Sequence, residues 1–523
     1  MLWTCLHFLD LPLRIFARAG MREVPSVVST ASHRPDVLVA NGAAQKRGIV
    51  SGMSIAGALG LDPDIAIHLR DERAEAAALK NIALWAGQWT STIAIELPAN
   101  VLLEISGCLN YFGGLNTLLG RIDAGLAAIG FSAVVATAPT ASAASLLARA
   151  GRAIAIEEGS RVDFSSLRRA DDSVAGRGPA SEKGADINST PPVRELETRA
   201  DLDSALASLP VGLLEGADQV METLWGIGVR TIGDVLALPR DGFARRFGAN
   251  LLDQIDRALG NLPDARALFV APERYHGQLE LPAPVHETEA LLFAVKRLVV
   301  ELAGFLNGRG AGVTRMRFDL VHEDVPPTSI VIGLTATRQI EHMQNVLRER
   351  LAQLQLPDRV EAIRLVSEET APLAGKEGEL FQGSGKDVEA GTQLIERLRA
   401  RLGEGAVHAL TLHADHRPER AQATSQSAQV KAQASVAAKA TGKDPRSSSP
   451  VRPLWLFAEP RLLGAEPASA ELKLLSGPER IESGWWDDHE VGRDYFIGRD
   501  AQGAEVWLYR DRGGQWFMQG VFA

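Results

Sequence analysis

The rhythm of apolar positions changes along this chain, and the changes mark out its parts. Over residues 1–157 short apolar runs alternate with stretches in which apolar side chains recur every three or four residues. The runs 2–11, 92–97, 101–105 and 133–136 predict strands, and 73–88 and 140–150 predict helices, together an α+β layer without a regular strand-helix-strand repeat. Residues 158–198 lose this periodicity to Ser, Gly, Asp, Arg and the adjacent Pro191 and Pro192, which predicts a disordered insertion. A helical pattern resumes over 199–265, broken at Gly226-Ile227-Gly228. Residues 270–372 then read as strand 275–281, a helix, strands 313–321 and 329–335, helix 339–354 and strand 359–366, a β-α-β-β-α-β module. Its first helix sets Leu291, Val295, Leu298, Leu302 and Phe305 on one stripe. In its second strand Met316, Phe318 and Leu320 alternate with Arg315, Arg317 and Asp319, so one face is core and the other presents arginines.

Beyond the module, 385–420 reads as a small α/β segment. Residues 421–450, rich in Ala, Gln, Ser and Lys, cannot bury a core and predict a flexible linker. The end, 451–523, predicts a small antiparallel β unit with strands at 495–497, 505–509 and 516–521. Its Trp485, Trp486, Tyr495, Trp507 and Trp516 form either the unit's core or an interaction face. The fold class expected is therefore α+β multidomain, and 523 residues at roughly 100–200 per domain agree with about three to five domains.

With 46% apolar and 23% charged residues the composition is that of a globular protein. No apolar run is long enough to span a membrane. The opening 1–19 is interrupted by Asp10, Pro12 and Arg14, so it reads as a buried strand and not as a signal. Two cysteines, Cys5 and Cys108, support neither a disulfide framework nor a Cys-rich zinc site; a reducing cytoplasm, no membrane partner and no cofactor are expected. His413 and His416 flank Asp415 but lack further metal ligands nearby, and read as surface histidines.

The formal charge of −10 opposes a nucleic-acid partner as a whole, but its distribution is uneven. Residues 295–320 carry Lys296, Arg297, Arg309, Arg315 and Arg317 against Glu301 and Asp319, a local +3; 417–452 carry seven basic and two acidic residues, a local +5. Solvated surfaces or DNA-docking faces both fit these patches. The segment 224–238, Leu-Trp-Gly-Ile-Gly-Val-Arg-Thr-Ile-Gly-Asp-Val-Leu-Ala-Leu, has the spacing of a helix-hairpin-helix. There Gly226 and Gly228 allow close approach to a phosphate, and N–H groups around Arg230 and Thr231 open the second helix toward it. A purely structural αα-hairpin is the plainer alternative.

Several blocks, taken in order, resemble the Y-family translesion DNA polymerases: Asn41-Gly-Ala-Ala-Gln-Lys-Arg-Gly-Ile-Val-Ser-Gly-Met53, Val101-Leu-Leu-Glu-Ile-Ser-Gly107, residues 136–149, and the hairpin. The resemblance implies a palm and fingers over 1–157, a thumb over 199–265 and a little finger over 270–372. Within that family the blocks 452–456 and 477–486 are similar to those of the non-catalytic subunits of bacterial mutagenesis cassettes.

Nucleotidyl transfer in such polymerases needs carboxylates that clamp two metal ions. The resemblance places the first pair on Asp10 and Pro12 and the second on Ala99 and Asn100, while the residues that hold nucleotide phosphates fall on Gly42 and Gln45, and the palm lysines on Ala141 and Ser145. The implied protein is a pseudo-polymerase without catalytic, metal or nucleotide-binding residues, although Glu104 on the palm strand offers a replacement carboxylate. DNA contacts are expected from Gly226, Gly228, Arg230, Thr231, Arg309, Arg315 and Arg317. Glu377-Gly-Glu-Leu-Phe381 resembles a sliding-clamp ligand, with Glu377, Leu380 and Phe381 as its contacts. Implied partners are primer-template DNA, the β sliding clamp, a C-family error-prone DNA polymerase and a RecA-like accessory protein of the ImuA type, in the bacterial cytoplasm at the nucleoid. An active translesion polymerase with atypical metal ligands is the alternative. A helix-hairpin-helix glycosylase is disfavoured, since no Lys or Asp follows the hairpin at a recognisable catalytic offset.

Overall fold

The computed structural model describes residues 1–17, 24–31, 33–158, 199–373, 385–425, 452–464, 472–487 and 489–522. The chain divides into two compact units, Met1–Gln382 and Gly383–Ala523. The insertion expected over 158–198 and the clamp peptide with Glu377, Leu380 and Phe381 lie outside the described residues, apart from residue 158.

The first unit opens with β1 (Trp3–His7), α1 (Leu11–Ala17), β2 (Ser26–Ser29), β3 (Val37–Ala40), α2 (Gly42–Gln45), α3 (Ile55–Leu61), β4 (Ala66–Leu69) and α4 (Glu72–Ala86). It continues with β5 (Ile93–Glu96), β6 (Asn100–Glu104), α5 (Leu109–Phe112), α6 (Leu115–Ile129), β7 (Val134–Ala138) and α7 (Ala141–Glu158). One sheet has the order β5-β6-β1-β7, all neighbours antiparallel, with His7 opposite Asn100 and Val134. The strand expected over 2–11 stops at His7. Asp10 instead starts α1: its carbonyl accepts the N–H groups of Leu13 and Arg14, and its carboxylate pairs with Arg14 one turn on, at 2.7 Å. A small second sheet, β3-β2-β4, was not legible in the sequence; it closes over Val27, Val37, Ala44, Ile49 and Ala58, with Asn41 and Ser54 capping α2 and α3.

Both faces of the first sheet are covered. Leu6, Phe8, Val101, Leu103 and Ile105 meet α4 and α6. Trp3, Cys5, Ala94 and Leu102 meet α7 and the helices α8 (Arg199–Ala207), α9 (Met221–Gly226), α10 (Ile232–Ala237), α11 (Arg240–Phe247) and α12 (Asn250–Ala258).

The β-α-β-β-α-β module is present as β8 (His276–Val285), α13 (Thr288–Arg309), β9 (Ala311–His322), β10 (Thr328–Thr337), α14 (Ile340–Leu351) and β11 (Val360–Pro372), sheet order β10-β9-β11-β8. The expected stripe Leu291, Val295, Leu298, Leu302 and Phe305 is buried, and so are Ala294, Val299, Ala303 and Gly304. The additional burial comes from α4, which packs along α13. A methyl group placed on Gly304 would sit 2.5 Å from the Trp85 ring, and one on Gly308 2.7 Å from the carbonyl carbon of Gly87. Trp85, 2% exposed, is thus gripped between Gly304 and Gly125 of α6. Small side chains at these places let helix backbones come close enough for dispersion contacts to accumulate.

The second unit contains α15 (Gly385–Leu402), the hairpin β12 (Ala409–Leu412) with β13 (Gln422–Ser425), and β14 (Trp455–Gly464), β15 (Lys473–Ser483), β16 (Val491–Arg499), β17 (Glu505–Asp511) and β18 (Trp516–Val521). The last five form one antiparallel sheet, β14-β18-β17-β16-β15. Strand β13 occupies 422–425, within the stretch expected to be a linker from 421; the rest of that stretch, 426–450, lies outside the described residues. Arg417 and Glu419 tie the segment around 415–420 directly to this sheet through Asp487 and Arg493. Tyr495, Trp507, Tyr509 and Trp516 are buried, whereas Trp485 and Trp486 are exposed; the aromatic residues of the tail divide between core and surface.

Candidate functional site

At the end of the first sheet where β1 meets β6, side chains from four elements and a connector join in one polar chain. His7 Nδ1 donates to Asn100 Oδ1 at 2.6 Å. Asn100 Nδ2 donates to Ser145 Oγ at 3.1 Å, and Ser145 Oγ donates to Glu96 Oε1 at 2.9 Å. The other Glu96 oxygen accepts Arg266 Nη1 at 3.2 Å. Arg266 Nη2 donates to Ser142 Oγ at 2.6 Å and lies 3.0 Å from Asp264 Oδ1, while Asp264 Oδ2 accepts the Ser142 N–H at 2.7 Å.

Local structure explains this convergence. Glu96 and Asn100 are register partners across the β5–β6 turn, and α7 brings Ser142 and Ser145 over the sheet one turn apart. The connector after α12 runs along the β5 edge, where Phe269 N–H donates to the Ile93 carbonyl at 2.7 Å and Leu268 bridges Ala94. That places Arg266 beside Glu96.

Chemically the chain is self-contained. Hard divalent cations want several anionic oxygens with room for water. Here an amide stands at Asn100 and a hydroxyl at Ser145, and both Glu96 and Asp264 are engaged by a guanidinium, which stays charged at any accessible pH. The site carries its own cation on a side chain.

The residues singled out in the sequence are placed as follows. Asn100 and Ser145 lie in the network. Ala99 contributes only its carbonyl, which accepts Phe8 N–H at 2.9 Å. Pro12 lies in the first turn of α1, and Asp10 is paired with Arg14 outside the network. Gly42 opens α2 and Gln45 closes it, its Nε2 donating to the Ala40 carbonyl at 2.9 Å. Ala141 is buried at the start of α7. Glu104 lies four residues along β6 from Asn100, about 13 Å away at strand rise. Burial would raise its pKa, but bonds from Ser106 and the Leu2 N–H outweigh it and hold the carboxyl below its usual range. It is a local cap and not a member of the site.

The hairpin differs from expectation in its chemistry. Gly228 takes the left-handed turn, φ +82°, and Thr231 caps α10 in a capping box with Asp234. Asp234 Oδ2 accepts both the Arg230 and the Thr231 N–H groups at 2.9 Å, bonds that lower its pKa. The donors expected to meet a phosphate are thus held by an internal carboxylate. The Arg230 guanidinium rests over Trp225, 5.7 Å from the ring centroid.

The arginine face of the module is present but balanced. Arg315 and Arg317 both reach Glu368 at 3.0 Å, and Arg317 also reaches Asp319 at 3.2 Å. Arg309 lies over Phe305 and donates to the Pro272 carbonyl.

Glu96, His7 and Arg266 escaped the sequence reading. Glu96 stood inside the strand-like run 92–97 and Arg266 in a connector, and nothing local to either signals a partner 170 residues away.

The impB/mucB/samB family model matches residues 14–149. Over 503 residues, 91% of this chain and all of the relative, the chain is 26% identical to Protein ImuB of Caulobacter vibrioides, strain NA1000 / CB15N, and equally to that of strain ATCC 19089 / CIP 103742 / CB 15. The chain is ImuB-like. Solved structures that align with this ImuB-like chain include a Y-family DNA polymerase chimera, with TM-score 0.36 and 16% identity over 70% of this chain and 98% of the other. Another is DinB from Sulfolobus solfataricus, with TM-score 0.36 and 17% identity over 72% of this chain and 100% of the other. No helix among the described residues is long and apolar enough to cross a membrane.

Proposed function

We propose that this protein is a non-catalytic, polymerase-like adaptor in DNA-damage-induced mutagenesis. It binds primer-template DNA and the β sliding clamp, and it recruits a separate C-family error-prone polymerase and a RecA-like ImuA protein in the bacterial cytoplasm. The observation that supports the loss of catalysis is the His7–Asn100–Ser145–Glu96–Arg266 chain, in which an amide and a hydroxyl stand beside a single carboxylate, Glu96, that a guanidinium already engages, whereas two-metal catalysis needs several free carboxylates. The similarity to ImuB supports the adaptor role. In this reading Arg315 and Arg317 reach DNA by exchanging Glu368 for phosphate, the hairpin around Gly226 and Gly228 contributes shape more than charge, and Glu377, Leu380 and Phe381 hold the clamp.

The test is primer extension by the purified full chain with all four deoxynucleotides and Mg²⁺ or Mn²⁺. No extension above buffer is expected, and Asp10→Ala should leave cellular mutagenesis unchanged. Extension that Glu96→Gln abolishes would establish the alternative, an active polymerase with atypical ligands.

A further inference from the structure

Between β15 and β16 the chain turns at 484–487, and the turn is clamped from behind. Arg417, its side chain 3% exposed, donates to Asp487 through Nη1 at 2.9 Å and Nη2 at 2.7 Å. The same guanidinium holds Asp415 at 2.7 Å and the His489 carbonyl at 3.2 Å, and Arg420 adds a second contact to Asp487 at 2.6 Å. Gly484 takes φ +88°, and a Cβ there would run into the Arg417 guanidinium and the His489 carbonyl, so no larger residue fits.

In front of this clamp two indoles face solvent. Trp485 is 77% and Trp486 58% exposed, their rings packed edge to face at 5.4 Å, with Arg417 5.8 Å from the Trp486 centroid. Leaving such area wet forgoes hydrophobic stabilisation that Trp507 and Trp516 obtain in the same sheet. A rigid turn also loses little conformational entropy on docking.

Charge decides the kind of partner. Residues 482–490 contain Glu482, Asp487, Asp488 and Glu490 and no Lys or Arg. The surrounding arginines are committed to carboxylates: Arg480 to Asp494 and Arg512 to Glu490, both at 2.7 Å, and Arg417 and Arg420 to Asp487. With four acidic residues and no basic one across 482–490, a phosphate backbone is repelled and stacking on nucleic acid is disfavoured.

We infer that the turn 484–487 is a docking knob, Trp485 and Trp486 entering an apolar pocket of a protein partner whose rim is basic. The inference rests on the adaptor reading and specifies where that recruitment occurs. Each indole then acts as a hot spot, and Trp485→Ala or Trp486→Ala weakens partner binding about thirtyfold, or about 2 kcal/mol.

The experiment titrates the full chain and each variant with the purified cassette polymerase, with the purified RecA-like protein, and with a single-stranded oligonucleotide. Melting temperature serves as the folding control. Support is a loss of about thirtyfold or more for one protein partner, with oligonucleotide affinity and melting temperature unchanged. Variants that bind both partners like the parent overturn the knob while leaving the adaptor reading intact. Variants that lose the oligonucleotide instead overturn it in favour of base stacking. A parent chain that binds neither protein overturns the adaptor reading and the knob with it.

Discussion

Arg266 is shared by Glu96 and Asp264, whose side chains are 20% and 10% exposed, so its removal strands two carboxylates in a half-dry setting. Arg266→Ala should therefore cost about 2–4 kcal/mol of stability in urea unfolding, toward the lower end because some water reaches the group. Adding Glu96→Gln to that variant should recover part of the loss, since the amide removes one of the uncompensated charges. A fully additive pair would show that Arg266 and Glu96 do not act together. At this scale the sequence was legible for the chemistry of single residues: a proline at 12 or an amide at Asn100 cannot supply a carboxylate wherever it lies. The network around Asn100 was illegible, because pairing of Glu96 with Arg266 depends on a connector laid along β5, a tertiary fact with no local pattern.

Between elements, the tightest fit is the glycine seam of α13 on α4. Gly308→Leu would drive a side chain into the Gly87 backbone, which has no rotamer with which to yield; Gly304→Leu would displace Trp85. Each should lower stability by about 1–3 kcal/mol, and Gly310→Leu gives no comparable guide because its φ of +61° adds backbone strain. Near-UV circular dichroism of the Trp85 region and the melting temperature are the measurements, and an unchanged melting temperature would separate the module from α4. The apolar stripe of α13 was readable from Leu and Val spacing, whereas its second buried face was not, because Ala294, Ala303 and Gly304 carry almost no hydrophobic signal. The clamp on the 484–487 turn makes a prediction with pH. Hydrogen bonds from Arg417 hold Asp415 and Asp487 down at about 2, below the usual 3.8. Carboxylates with depressed pKa values add stability above their unfolded pKa, and that contribution is lost as pH falls from about 4 toward 2. The edge-to-face signal of Trp485 and Trp486 should persist to below pH 4, and Arg417→Gln should shift its loss upward; a loss at the same pH in both would detach the turn from Arg417.

Across the whole molecule charge is distributed unevenly. The second unit holds 18 basic and 19 acidic residues, −1, which leaves −9 of the total −10 on the first. A DNA duplex is therefore repelled by the body expected to meet it, and attraction has to come from a local face. On the module's open sheet the face proposed for this is Arg315 and Arg317, 50% and 39% exposed, both reaching the single carboxylate of Glu368. Their alternation with Met316 and Phe318 was plain in the sequence. Their neutralisation was not, because Glu368 stands on β11, two strands further along the chain, and becomes their neighbour only through the β9–β11 register. Pairing of this kind costs DNA affinity, since a phosphate must first displace the carboxylate. Glu368→Gln should accordingly tighten binding to a primed duplex and steepen its salt dependence. Arg315→Ala with Arg317→Ala should weaken binding and flatten the slope of log K against log salt by about 2, the value for two phosphate contacts at about 0.9 each. Exposed surface pairs contribute little to folding, so melting temperatures should stay within a few degrees in both variants. Opposite shifts in affinity from the two changes, at constant stability, would locate DNA on this sheet; equal affinity in parent, Glu368→Gln and the double alanine variant would move the contact off it.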